Sequence, residues 1–77
     1  MAKLPSLNGR EVLRVLLKAD FYVHHQTGSH ARLFHSRRPE LRVTIPIHSK
    51  DLPETTLKLI LKQGDIKEAE FLRLLKS

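Results

Sequence analysis

His30 is the residue with the most chemistry to offer. It follows Gly28 and Ser29 directly, Arg32 lies two places on, and Arg42 and Thr44 sit in a later stretch of alternating polarity. Histidine has an unperturbed pKa of about 6.5, so it takes and gives protons near neutrality. A histidine among arginines suits RNA cleavage, because each ribose carries its own nucleophile, the 2′-hydroxyl beside the phosphate. The reaction then needs a base for that hydroxyl, an acid for the departing 5′-oxygen, and cations for the charge on phosphorus. One well-placed acid–base group is worth about 10²–10⁴ in rate. The plain structural alternative is an exposed strand histidine bonded to a loop carbonyl.

Other chemistries fit less well. The five histidines, His24, His25, His30, His35 and His48, have no chelating spacing, and no carboxylate occurs between Phe21 and Pro39. A two-metal nuclease needs Asp or Glu to bridge its ions, so no metal and no cofactor is expected. Ser29 is adjacent to His30 in sequence, which is not the geometry of a serine triad. Without cysteine, thiolate nucleophiles and disulfides are excluded.

The charge agrees with an anionic substrate. The 77 residues carry 14 Lys+Arg against 8 Asp+Glu, a net +6, and small basic domains commonly meet polyanions. Residues 24–50 hold Arg32, Arg37, Arg38, Arg42 and Lys50 against Glu40 alone. Arg37 and Arg38 fall at a loop tip, where they serve either as phosphate contacts or as a solvated pair. Lys50 precedes a helix start, whose free N–H groups also attract phosphate.

The elements that must position these residues read as α-β-β-β-α-α, an α+β fold. A helix opens at Asn8 and Glu11, a capping-box pair, with a stripe of Val12, Leu13, Leu16 and Leu17 ending at Asp20. Phe21 to Gln26 reads as a strand with Phe21, Val23 and His25 on one face. Thr27-Gly28-Ser29 is a turn, and His30 to His35 is a second strand with Ala31 and Leu33 facing inward. Leu41 to Ile47 alternates most clearly, and Pro46, with no N–H, puts that end of the strand at a sheet edge or leaving the sheet. A second helix has Pro53 in its first turn, a stripe of Leu57, Ile60 and Leu61, and Gly64 as its stop. Asp65 and Glu68 suggest a capping box for a last short helix whose inner side is Ile66, Ala69, Leu72 and Leu75. Phe71 and Leu74, like Leu59, then stand outside and could anchor a partner. Short loops imply an antiparallel three-stranded sheet packed on helices. Its open face would carry His30, Arg32, Arg42 and Thr44. Tyr22 and Phe34 fall on that side too, to stack on bases or be covered by a terminal segment or a protein.

Residues 1–77 are expected to form one domain, since a chain of this length supports a single small core. No apolar run approaches the roughly 20 residues of a membrane span, and no signal-peptide core is evident, so the cytoplasm is the expected location.

The sequence resembles the HicA mRNA-interferase toxins. The likeness rests on Gly28-Ser29-His30 with Leu33 and His35, on Val43-Thr44-Ile45-Pro46-Ile47-His48, on Lys50-Asp51-Leu52, and on Thr56-Leu57 with Ile60-Leu61-Lys62-Gln63. Gly9-Arg10-Glu11-Val12 also fits. The resemblance implies a fold similar to a double-stranded-RNA-binding domain and metal-independent cutting of mRNA with His30 as the catalytic residue. It also implies a HicB-type antitoxin that covers the site. Gly28 and Ser29 carry over as the turn presenting His30, and complete an RNA-binding set with Arg32, Arg37, Arg38, Arg42 and Lys50. His25 stands where many relatives have an arginine. The rival readings are a non-catalytic RNA-binding module and a protein-interaction domain. Against the former, Glu54-Thr55-Thr56 occupies the helix start where double-stranded-RNA-binding domains place lysines.

Overall fold

A computed structural model describes residues 4–77. The first helix, α1 (Gly9–Lys18), starts as its cap residues dictate. The Glu11 amide donates to Asn8 Oδ1 and the Asn8 amide donates to Glu11 Oε1, each at 3.0 Å, so the capping box closes. Val12, Val15 and Leu16 are buried, whereas Leu17 is 48% exposed. Val15 therefore takes the core position assigned to Leu17.

Three strands follow: β1 (Phe21–Gln26), β2 (His30–His35) and β3 (Arg42–Pro46), antiparallel in the order β1-β2-β3. β3 is thus an edge, and its Pro46 pairs with His30. Ala31, Leu33, Val43 and Ile45 line the inner face and are packed under α1 and α2 (Glu54–Gln63). Pro53 is the cap of α2 rather than part of its first turn.

The strict alternation expected of β1 does not hold. Tyr22 pairs with Phe34 and Val23 with Leu33, but the next pair is His25 with Arg32, so His24 is an extra residue. This bulge moves His25 onto the open face beside Arg32 and leaves Val23 38% exposed. Phe21 is the one buried residue of the strand.

The last helix, α3 (Glu68–Lys76), corrects a second expectation. Phe71 is fully buried and Leu74 is 8% exposed, whereas Ala69 is exposed and Ile66, Leu72 and Leu75 are half-buried. The cap is Lys67 and no Asp65–Glu68 capping box forms. Starting the helix later than Asp65 leaves the large Phe71 ring, rather than Ala69, to fill the interior. Phe71 and Leu74 accordingly offer no partner surface, while Leu59 remains 54% exposed, as expected.

Two close approaches fix these layers. A Cβ on Gly9 would lie 1.9 Å from the Pro46 carbonyl oxygen, so the start of α1 rests directly on the end of β3. Gly64 closes α2 with a right-handed backbone. Its lack of a side chain serves packing: a Cβ there would sit 3.2 Å from Phe21 and 3.3 Å from Val43. The left-handed residues at the helix exits are Asp20 (φ 70°) and Asp65 (φ 54°). Among the described residues, no helix is long and apolar enough to cross a membrane.

Candidate active site

His30 opens β2 on the exposed face, and the turn before it holds it by several bonds. The Thr27 hydroxyl accepts from the Ser29 amide at 3.3 Å and from the His30 amide at 3.1 Å. The Thr27 amide donates to the His30 carbonyl at 2.9 Å, and the Ile47 amide donates to the Ser29 carbonyl at 2.7 Å. The turn is therefore tied to the exit of β3 as well as to itself. Thr27 reads in sequence only as part of a turn. A side chain that hydrogen-bonds amides two and three residues on is the known habit of Thr and Ser in turns.

Ser29 Oγ lies 3.0 Å from His30 Nδ1. A hydroxyl both donates and accepts, so this partner tolerates a proton on either ring nitrogen. Nε2 has no hydrogen-bond partner among the described residues, and the side chain is exposed. Gly28 has no left-handed φ, and a Cβ there would meet nothing within 4 Å. The turn is therefore open to solvent at Gly28.

The cations divide into two groups. Arg32 shares the face of His30 and forms a row with His25 and Thr44 across the three strands. Arg42 pairs with Phe34 two places further along β2, its guanidinium carbon 4.8 Å from the ring centroid. The strands supply no carboxylate to this face. Lys50 is exposed in the loop between β3 and α2.

Arg37 and Arg38 lie elsewhere, beyond His35 at the other end of β2. That end is about 17 Å from His30 at the ordinary strand rise. Arg37 pairs with Asp20, and Arg38 with Glu40 at 3.2 Å and Asp65 at 2.9 Å. Arg38 is held above its ordinary pKa by its bond to Asp65 and then by that to Glu40. Glu40 is lowered by its own backbone N–H and by Arg38. The two left-handed aspartates that end α1 and α2 thus also anchor the arginines of the β2–β3 turn. These partners lie 17 and 27 residues away in sequence, which no local pattern reveals. A cleft of about 500 Å³ sits at this end, lined in part by Lys18, Phe21, His35, Arg38 and Glu70.

Among the described residues, no group of three or more His, Cys, Asp or Glu side chains is arranged to hold a metal ion. Comparison with curated proteins finds no match. A family model described as the HicA toxin of bacterial toxin–antitoxin systems matches residues 9–66. That span covers α1, the whole sheet, the turn that presents His30, and α2. The chain belongs to the HicA toxin family of bacterial toxin–antitoxin systems.

Proposed function

We propose that this toxin is a metal-independent endoribonuclease that cuts mRNA in the cytoplasm with His30 as its acid–base group, and that a HicB-type antitoxin neutralises it by covering that residue. The observation that carries the reading is the Ser29 Oγ–His30 Nδ1 contact of 3.0 Å, which leaves Nε2 turned out on an exposed cationic face.

With the proton on Nδ1 donated to Ser29, the Nε2 lone pair takes the proton of a ribose 2′-hydroxyl. The 2′-oxygen bonds to phosphorus and the bond to the 5′-oxygen breaks. Nε2–H then protonates the departing oxygen, which returns the ring to its starting state. The products are a 2′,3′-cyclic phosphate and a 5′-hydroxyl. Arg32 is the cation best placed to neutralise the phosphorane, because it lies on the same face two residues along. Arg42 and Lys50 extend the phosphate path, and the open space at Gly28 admits the ribose. Arg37 and Arg38 reach only an RNA that runs to the far end of β2. The net charge of +6 favours an acidic antitoxin surface as well as RNA.

Purified protein incubated with RNA in excess EDTA tests the reading. Cleavage is expected to persist, to leave cyclic or 3′-phosphate ends, and to spare DNA and RNA that is 2′-O-methylated at the cut. Products with 5′-phosphate ends, or activity restored only by magnesium, contradict it. Binding without cleavage selects the non-catalytic RNA-binding module. Antitoxin binding is expected to block cleavage and to protect the amides of residues 30–35 from hydrogen exchange.

A further inference from the structure

The open face of the sheet carries an aromatic array that the acid–base reading does not use. Phe34 stands at the centre of the sheet. His24, placed there by the bulge, stacks on it with 4.0 Å between centroids and 8° between planes. Tyr22 opposes Phe34 in register and meets it edge-on at 6.3 Å and 66°. Arg42 lies over the same ring from β3. Tyr22 is 46% exposed and His24 is exposed, so flat π-surfaces remain in water.

The strands around this array contribute cations and no carboxylate. Such a surface complements a polyanion whose bases offer π-faces. In a duplex the bases stack on one another and show only their edges, so an aromatic array has nothing to stack on. Unpaired bases can be splayed onto it.

We propose that Tyr22, His24 and Phe34, with Arg42, form a stacking platform for unpaired bases, and that the substrate engages this toxin as single-stranded RNA. The inference rests on the ribonuclease reading above and specifies the substrate of the same face. Phe34 is four residues along β2 from His30, about 13 Å at the strand rise. A stacked strand advances about 3.4 Å along its axis per nucleotide, and an extended strand further. The platform therefore holds bases about two to four nucleotides from the phosphate at His30.

Tyr22 is the only tyrosine and tryptophan is absent, so intrinsic fluorescence reports on the platform alone. The full chain carrying His30→Ala is titrated with a short single-stranded RNA, with the same strand in a perfect duplex, and with an abasic strand of equal length. The single strand is expected to quench Tyr22 and to bind about tenfold or more tighter than the abasic strand, and the duplex to leave the fluorescence unchanged. Phe34→Leu and, on an exposed position that does not threaten folding, His24→Ala each weaken single-strand binding by about tenfold and leave abasic binding as it was. Equal affinity for the single and abasic strands, or full affinity in both variants, overturns the platform even where the wild type cuts RNA. A wild type that binds and quenches but does not cut upholds the platform and removes the ribonuclease reading. A protein that binds no single strand removes the platform outright.

Discussion

Two histidines close the two ends of β2, and their surroundings assign them opposite work. His35 Nδ1 accepts from the amides of Arg37 at 3.1 Å and Arg38 at 3.0 Å. Its ring meets Phe21 edge-on at 4.9 Å and 88°. Two backbone donors fix Nδ1 as the unprotonated nitrogen, so the ring is a staple for the β2–β3 turn. His30 Nδ1 meets only the Ser29 hydroxyl, which serves as donor or acceptor, and Nε2 faces solvent. The ends differ in charge as well. The His35 end gathers Asp20, Glu40 and Asp65 around its arginines, whereas the His30 end keeps Arg32 unopposed by any strand carboxylate. A histidine suited to chemistry is marked by what leaves its proton free to move, not by its place in a strand.

The comparison breaks first where the His30 end is supported. Gly9→Ala drives a Cβ into the Pro46 carbonyl opposite His30. It is expected to cost about 2–3 kcal/mol, which lowers Tm by roughly 4–8 °C per kcal/mol in a domain of this size. Thermal melts followed by circular dichroism measure it, and an unchanged Tm refutes the close approach. At the other end, His35→Ala removes the acceptor for two amides and is expected to cost about 1–2 kcal/mol. His35→Asn restores an acceptor and recovers most of that loss, while His30→Ala shifts stability by less than about 0.5 kcal/mol. Equal losses from His30→Ala and His35→Ala would erase the distinction.

The arginines sharpen it further. Each lost phosphate contact removes about 0.7 from the slope of log affinity against log salt for a single strand. Arg32→Gln with Arg42→Gln is expected to flatten the slope by about twice that amount, and more than Arg37→Gln with Arg38→Gln. The reverse order would move the RNA path to the acidic end. The smallest effect is acid sensitivity. Glu40 and Glu70 are held below the ordinary glutamate pKa, Glu40 by its own backbone N–H and Arg38, Glu70 by Arg73. Depressed carboxylates contribute stability above that value and lose it as pH falls through the lowered one. Tm is thus expected to slip modestly below about pH 4.5, less so in Glu40→Gln, as exposed pairs are weak. A Glu40→Gln protein with the wild-type acid profile would contradict that origin.

Much of this was legible in the sequence because it is local. The alternation of Val43, Thr44 and Ile45 marks β3, and the Asn8–Glu11 pair marks the start of α1. His30 at a Gly-Ser turn beside Arg32 was legible for the same reason. The bulge at His24 was not, because one extra residue leaves no compositional trace and still flips His25 to the other face. The inner side of α3 was not either, since apolar residues surround that short helix and the position of its start selects among them. The partners of Arg37 and Arg38 come from distant helix exits and emerge only once the fold brings Asp20 and Asp65 to the same end.

The central claim is that proton transfer belongs to His30 and not to His35. It is tested most directly by the cleavage rate of a single-stranded RNA in EDTA for wild type, His30→Ala and His35→Asn, each shown to be folded by circular dichroism. His30→Ala is expected to lose about 10²-fold or more, while His35→Asn cuts at close to the wild-type rate. A folded His30→Ala protein that cuts as fast as wild type would contradict it.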